Sequence, residues 1–329
     1  KRSLYMLHKI SVAPMMGCTD RHCRVLLRAL SPSCMLYSEM ITTSALIRGD
    51  KQRLLMHSND SPCAVQLGGS DPKSLSIAAK MIEDAGYQEV NLNCGCPSDR
   101  VQQAGIGACL MAEPELVAEC YSAMASSVSI PVTIKSRIGI DDQDSFEFFA
   151  DFITKNYEAG CRIFHIHARK AMLKGLSPKE NREIPPLKYD YVNQIARHFS
   201  DAAFSLNGGI KDIDSTLTLL EQFDGVMLGR APYANPYLLN ELDQAIYKTQ
   251  PVNRFEVMYE YFDYACQEHT AGTHIKHLAK HLLGLFTGLN GARAFRRHLS
   301  TNMFDDRATP NVILEAGKLV SQDIKDTFK

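Results

Sequence analysis

The sequence lacks long apolar runs, and it lacks an excess of charge of either sign. Its longest apolar stretches, such as residues 282–286, are far shorter than the roughly 20 residues of a transmembrane helix. Lysine and arginine number 36 against 37 for aspartate and glutamate, so the formal net charge is -1. We therefore expect no membrane partner and no strongly basic tail, although a local basic face can still bind nucleic acid.

The ten cysteines lack the spacing of a disulfide scaffold or a zinc site. They stand at positions 18, 23, 34, 63, 94, 96, 109, 120, 161 and 266. Disulfide scaffolds are typical of small chains that cannot build a core, whereas these thiols lie within apolar runs of a large one. Cys94 and Cys96 form a C-x-C pair, but no second pair at matching spacing completes four ligands. We predict reduced thiols, a cytoplasmic protein and no metal site.

Eight short apolar runs alternate with amphipathic segments along most of the chain. Most runs are apolar throughout, as parallel strands buried on both faces are. The predicted strands cover residues 11–15, 34–39, 63–67, 89–93, 132–136, 163–167, 203–207 and 225–228. Helices are predicted over 72–85 and 114–127. This pattern predicts a (β/α)8 TIM barrel. A doubly wound open sheet is the alternative, disfavoured because no strand is followed by G-x-G-x-x-G.

The last quarter of the chain has no clear strand pattern. We predict a barrel domain over residues 1–245 and a small all-α domain over 246–329. Between Thr270 and Phe304 there is no Asp or Glu, while five Lys and Arg residues fall there: Lys276, Lys280, Arg293, Arg296 and Arg297. Such a stretch is either a phosphate-facing surface or a solvated helix face, and the sequence leaves both open.

Glycines follow the last two predicted strands. Active sites of TIM barrels form at the carboxyl ends of the strands, and the loops after strands seven and eight commonly bind phosphate. Gly208 and Gly209 follow strand seven, and Gly229 and Arg230 follow strand eight. One glycine pair alone is an ordinary turn, but two consecutive glycine-bearing strand ends with an arginine favour a phosphorylated ligand.

Polar side chains end three further strands. Lys135 supplies a cation that can stabilise negative charge on a ring system, or it forms a salt bridge at the rim. Gln66 suits the edge of a pyrimidine-like ring, or it makes a turn contact. His167 can bind a phosphate or a ring oxygen, although a single histidine is more often structural.

Cys96 lies in the loop after strand four, where Pro97 turns the chain. A metal ligand, a thiolate nucleophile and a general acid are the three roles open to it. The first lacks partner ligands, and the second needs an adjacent base. A general acid benefits from a thiol that stays protonated at neutral pH.

These strand ends together resemble the tRNA-dihydrouridine synthases, flavin enzymes that reduce uridine in tRNA. The matching segments run in order along nearly the whole chain: Ala13-Pro14-Met15, Val65-Gln66-Leu67, Asn93-Cys94-Gly95-Cys96-Pro97, Lys135-Ser136-Arg137, His165 to Arg169, Asn207-Gly208-Gly209 and Gly229-Arg230. Residues 97–101, 181–187 and 291–298 resemble the bacterial subfamily that acts on D-loop uridines 20 and 20a. Related members often carry tryptophan where this chain has Phe295.

The resemblance implies FMN as cofactor, NADPH as electron donor and the tRNA D-loop as substrate. It implies that hydride passes from flavin N5 to uracil C6 and that Cys96 protonates C5. The implied FMN-binding residues are Pro14, Met15, Met16, Gln66, Lys135, His167, Asn207, Gly208, Gly209, Gly229 and Arg230. Asn93 is implied to hold the base, and the implied tRNA contacts are Lys179, Arg182, Phe295, Arg297 and His298. We expect a monomer.

Other functions fit part of this pattern. A flavin barrel that reduces a free small molecule, of the dihydroorotate dehydrogenase type, explains the phosphate loops and Lys135 but gives no role to the basic stretch. An aldolase would use Lys135 as a Schiff base. An RNA-binding protein without catalysis is the third alternative.

Overall fold

Eight buried strands close into a parallel barrel in the computed structural model, which describes residues 8–321. Each strand pairs with the next along the chain, and the eighth pairs with the first. The strands are β1 Ile10–Val12, β2 Met35–Thr42, β3 Cys63–Gly68, β4 Glu89–Cys94, β5 Val132–Ser136, β6 Ile163–His167, β7 Ala203–Asn207 and β8 Gly225–Leu228. The predicted TIM barrel is confirmed, and the open sheet is wrong.

The predicted bounds of β5 to β8 agree with the structure, and those of β1 do not. β1 ends at Val12, because Pro14 has no backbone N–H for the ladder and Met15 begins a turn whose carbonyl accepts from the N–H groups of Cys18 and Thr19. β2 runs on to Thr42 through an irregularity between Tyr37 and Met40.

Helices cover the outside of the barrel. They are α1 Arg21–Leu30, α2 Thr43–Arg48, α3 Lys51–Leu54, α4 Pro72–Asp84, α5 Asp99–Gln103, α6 Pro114–Ala125, α7 Phe146–Glu158, α8 Tyr189–His198, α9 Ile213–Leu220, α10 Arg230–Ala234 and α11 Leu238–Tyr247. The two predicted helices are α4 and α6, each with proline in its first turn. Within residues 8–321 no helix is long and apolar enough to cross a membrane.

The remaining helices build a second apolar core beside the barrel. They are α12 Arg254–Thr270, α13 Lys276–Ala279, α14 Ala292–Asn302 and α15 Asn311–Gly317, with a 3-10 turn over Lys280–Gly284. Leu26 and Leu30 of α1 are fully buried in this core. Burying a leucine contributes roughly 1.5–3 kcal/mol, so α1 holds the helical part against the barrel.

The predicted division at residue 245 stays a prediction. α11 crosses that position, and its Leu238, Leu239 and Leu242 pack in the barrel core, whereas the second core takes in the chain from Val252 onward. Residues 1–7 and 322–329 of the two predicted domains lie outside the described residues.

Candidate active site

The loop after β4 places Cys96 at the carboxyl end of the barrel. Asn93, near the end of β4, fixes the conformation of this loop. Its Oδ1 accepts the backbone N–H groups of Gly95 and Cys96, each at 3.0 Å. The Cys96 side chain is half-buried, and its Sγ lies 3.6 Å from Ser98 Oγ. The thiol therefore stands in a fixed loop at the barrel mouth.

Arg137, directly after β5, holds the same loop, and sequence reasoning misses this role. Its buried guanidinium donates to the carbonyls of Gly95 at 3.0 Å, Lys170 at 3.0 Å and Asn181 at 2.8 Å. Burial lowers its pKa to about 10. The available signal was its place directly after β5, the strand paired with β4.

Lys135 lies at the end of β5 with no carboxylate partner among residues 8–321. Its Nζ donates to Asn207 Oδ1 at 3.2 Å. Burial, and then the nearby charge of Arg137, lower the pKa of Lys135 from 10.5 to about 7. The rim salt bridge, our alternative from the sequence, is wrong. A cation in this position is stabilised by any anion that binds in the mouth.

His167 ends β6 beside the same cations. Burial, followed by the charges of Arg137, Lys135, Arg169 and Arg182, holds the pKa of His167 well below its ordinary value. The imidazole is therefore neutral at physiological pH. The Gly208 backbone lies against this ring, since a Cβ at Gly208 would be 2.6 Å from His167 Cδ2.

The backbone after β7 is crowded by side chains, whereas the backbone after β8 is open. Asn207 Nδ2 donates to Met227 O at 2.7 Å and ties the two strands together. Gly208 and Gly209 have φ of +111° and +76°, which side chains rarely adopt. A Cβ at Gly229 would meet only Met15 Sδ, at 3.7 Å. The backbone at Gly229 is thus open to close approach.

Arg230 follows Gly229 and is already paired. Its Nη1 lies 2.5 Å from Glu183 Oε1, and both side chains are about half exposed. A phosphate at this strand end would compete with Glu183 for the guanidinium.

A strap over residues 179–187 lies across the mouth between β6 and α8. Asn181 is buried and donates to Met172 O at 3.0 Å, and Arg169 donates to Pro185 O. Lys179 and Arg182 of this mouth strap are exposed. Burial lowers the pKa of Arg182, and the neighbouring charge of Arg230 adds to this effect. The mouth strap thus adds cations to a cationic site.

The β1 loop supplies an apolar rim. Pro14 and Met15 are half-buried, whereas the Met16 side chain is 68% exposed. Gly17 N–H donates to Glu39 Oε1 at 2.5 Å, and Lys280 Nζ lies 3.2 Å from Asp20 Oδ2. The basic helical stretch therefore contacts the loop that carries Met15 and Met16.

Gln66 is fully buried, and its amide is bonded to other amides. Its Oε1 accepts from Asn93 Nδ2 at 2.7 Å, and its Nε2 donates to Asn91 Oδ1 at 2.8 Å. Asn93, which we expected to hold the substrate base, thus has both functional atoms engaged inside the protein.

The basic stretch is only partly free to meet phosphate. Arg297 is exposed, whereas His298 Nε2 lies 3.2 Å from Glu315 Oε2. Phe295 is fully buried against Phe286, with ring centroids 4.8 Å apart, so our expectation that it contacts tRNA is wrong. It is a core residue of the helical part.

All ten cysteines are free thiols. Among the described residues, no group of three or more His, Cys, Asp and Glu side chains could hold a metal ion.

Known proteins are similar in sequence to this chain over nearly its whole length. The profile of the dihydrouridine synthase (Dus) family matches residues 11–323. The chain is 51% identical over 311 residues to the tRNA-dihydrouridine(20/20a) synthase of Vibrio cholerae, covering 94% of this chain and 95% of that protein. It is 50% identical over 327 residues to the Escherichia coli K12 protein of the same name, covering 98% and 94%. For that of Pseudomonas putida the identity is 53% over 298 residues, covering 90% and 89%.

A solved structure shares the fold at low identity. The 2-naphthoyl-CoA reductase complex with 2-naphthoyl-CoA aligns with a TM-score of 0.56 and 12% identity over 72% of this chain. This chain spans 50% of that one, and the likeness concerns the fold alone.

Proposed function

The chain belongs to the dihydrouridine synthase family, and we propose from this premise how its site works. It is a flavin-dependent oxidoreductase, and its reaction is that of a tRNA-dihydrouridine(20/20a) synthase, the reduction of the C5=C6 bond of uridine in tRNA. The observation that carries this function is the Cys96 thiol, fixed at a barrel mouth with cations at the ends of β5, β6 and β8.

The residues at this mouth fit a flavin with a phosphate group. Lys135 has no carboxylate partner among the described residues, and cations surround the neutral ring of His167. The Gly229 backbone leaves open space where a phosphate could approach. We propose FMN as the cofactor. Its proposed binding residues are Pro14, Met15, Met16, Gln66, Lys135, His167, Asn207, Gly208, Gly209, Gly229 and Arg230.

When bound, reduced flavin would supply a hydride for C6 of uracil, and NADPH is the proposed source of electrons. Lys135 stabilises negative charge in the mouth, because its buried ammonium gains most from an anion nearby. Cys96 Sγ gives its proton to C5, and solvent restores the proton. A proton donor of this kind typically contributes about 100- to 10,000-fold in rate.

The uridine must leave its stack to reach Cys96, which costs a few kcal/mol. Lys179 and Arg182 of the mouth strap are exposed beside the site, and Arg297 is exposed on α14. We propose that these three contact tRNA phosphates, with His298 in a secondary role because Glu315 competes for it. A tRNA substrate also suits a cytoplasmic enzyme, and we propose that it acts as a monomer.

Cys96→Ala tests this function directly. Uridine-containing tRNA without dihydrouridine is incubated with protein, FMN and NADPH, and dihydrouridine is mapped by mass spectrometry. The variant should keep the yellow flavin and still accept electrons from NADPH, yet form little dihydrouridine. Cys109→Ala, which removes another half-buried thiol, is the control.

Two results would contradict the proposal. Full product formation by Cys96→Ala removes the thiol from the mechanism. Reduction of a free pyrimidine by the wild-type protein, with tRNA left unchanged, favours the small-molecule reductase instead.

A further inference from the structure

A row of buried hydrogen bonds runs from the Cys96 loop into the barrel. Asn93 accepts from Cys96 N–H and donates to Gln66 Oε1, and Gln66 donates to Asn91 Oδ1. Asn91 Nδ2 then donates to Thr133 Oγ1 at 2.8 Å. These side chains lie on β3, β4 and β5, whose register sets Gln66 beside Asn91 and Asn91 beside Thr133. We call Asn93, Gln66, Asn91 and Thr133 the amide chain.

The amide chain ends at the carboxylate of Glu89. Thr133 Oγ1 donates to Glu89 Oε1 at 2.6 Å, and the Tyr37 hydroxyl donates to the same oxygen at 2.6 Å. Burial, and then the charge of Glu89, raise the pKa of Tyr37 well above its ordinary value, so this hydroxyl stays a donor. His165 Nε2 lies 2.9 Å from the Tyr37 oxygen. Glu89 Oε1 therefore accepts one hydrogen bond from Thr133 and one from Tyr37.

Every donor in the chain points the same way, from Cys96 toward Glu89. An Asn or Gln amide can lie in either of two orientations that exchange its oxygen and nitrogen. In the amide chain the orientation of one amide fixes the orientation of the next, because the nitrogen of each must face the oxygen of its neighbour. At the end of the amide chain Glu89 Oε1 accepts the hydroxyl proton of Thr133. This leaves Thr133 Oγ1 free to accept from Asn91 Nδ2.

We propose that Glu89 is a positioning residue for Cys96. Through the amide chain it sets the orientation of Asn93, whose Oδ1 then accepts the N–H groups of Gly95 and Cys96 and fixes the thiol over the mouth. This inference rests on the proposed function, since it assumes that Cys96 is the proton donor. It assigns Asn93 to the protein's own loop rather than to the substrate base.

Thr133→Val interrupts the chain while keeping the shape of the side chain. We expect kcat for tRNA to fall about tenfold, because a small misplacement of a reacting group can cost up to about 100-fold. KM for tRNA should stay unchanged, and kcat is measured at saturating FMN because Gln66, a proposed FMN-binding residue, belongs to the amide chain. Thr133→Ser, which restores the hydroxyl, should recover kcat.

Tyr37→Phe is the matched control. It removes one buried hydroxyl from the same carboxylate but leaves the amide chain intact. We expect a similar loss of melting temperature to that of Thr133→Val and a kcat near that of the wild type. An equal fall of kcat in Tyr37→Phe would show a general effect of barrel stability and overturn the proposal.

Alkylation of Cys96 by iodoacetamide, followed by peptide mass spectrometry, gives a second readout. Loosening of the loop in Thr133→Val should speed alkylation of Cys96 about threefold, while Cys109 and Cys266 react as in the wild type. Unchanged alkylation together with unchanged kcat would overturn the inference. If Thr133→Val does not fold, Glu89→Gln takes its place, with the same expected directions and the same refuting outcome.

Failure of the proposed function gives a different pattern. A wild-type protein that reduces no uridine in tRNA removes that function, whereas the alkylation comparison still decides whether Glu89 holds the Cys96 loop.

Discussion

The lysine at the end of β5 gives the protein a pH dependence that can be measured without substrate. Lys135 has a pKa of about 7 in the folded protein and 10.5 as its ordinary value, chiefly because of burial. Between these two pH values the unfolded chain binds more protons than the folded one. Burying the charged form of Lys135 therefore lowers the free energy of unfolding. This penalty is full below pH 7 and shrinks as the pH rises from 7 to 10.5.

The magnitude follows from the two pKa values of Lys135. The slope is at most about 1.4 kcal/mol per pH unit, and the integral over the window is about 5 kcal/mol as an upper bound. Lys135→Met removes this penalty in the flavin-free protein. The variant should be the more stable one at pH 6 and 7, and its advantage should shrink by about 2 kcal/mol between pH 7 and 9.

Urea unfolding of both flavin-free proteins at pH 6, 7, 8 and 9 measures this difference. Buried cysteines also titrate in the alkaline range, but both proteins share them and their effect cancels. Lys155→Met is the control, because Lys155 is paired with Glu115 and its pKa is raised, so its difference should be flat below pH 9. If the difference in free energy of unfolding between the wild type and Lys135→Met does not change with pH, the lowered pKa of Lys135 is refuted.

Bound FMN should reverse the order of stability of the wild type and Lys135→Met at pH 7. An anionic ligand beside Lys135 raises its pKa and stabilises the folded, charged form. With saturating FMN the wild type should therefore be more stable than Lys135→Met at pH 7. An advantage of the variant that survives saturation would mean that the anion binds elsewhere.

Three further predictions concern the helical part and its contact with the β1 loop. Phe295→Ala should destabilise the protein by about 3–5 kcal/mol in urea unfolding and leave the salt dependence of tRNA binding unchanged; an altered salt slope would restore Phe295 as a contact. Lys276→Ala combined with Arg297→Ala should make the slope of log K against log salt shallower by roughly one per cation, measured by filter binding, and an unaltered slope would make this a solvated face. Asp20→Asn should weaken FMN binding, measured by flavin fluorescence, because Lys280 lies 3.2 Å from Asp20 at the β1 loop; unchanged affinity would show that this contact does not hold the loop.

The barrel and its polar strand ends could be predicted from the sequence because both depend on local patterns. β5 to β8 carry apolar side chains at alternate positions or throughout and end at polar or glycine-rich segments, so they could be delimited residue by residue. β1 could not, because Ala13 to Met15 is as apolar as the strand before it, and only the absent N–H of Pro14 ends the ladder.

The sequence around Phe295 contains a signal for burial. The family resemblance implies a tRNA contact for it, yet Leu299 follows it by four residues on the same helix face. Both side chains are fully buried in the second core. An apolar pair at this spacing indicates the buried face of α14, and the arginines occupy the other one.

Partners that come from distant segments could not be predicted at all. Glu183 meets Arg230 across 47 positions, and the amide chain joins three strands through their register. Side chains at strand ends can be identified from sequence, but their hydrogen-bond partners depend on which strands lie side by side and in what register. For this reason the residue types of the site were predictable, whereas the split between those that meet ligands, such as Lys135, and those that hold the protein's own loops, such as Asn93 and Arg137, required the structure.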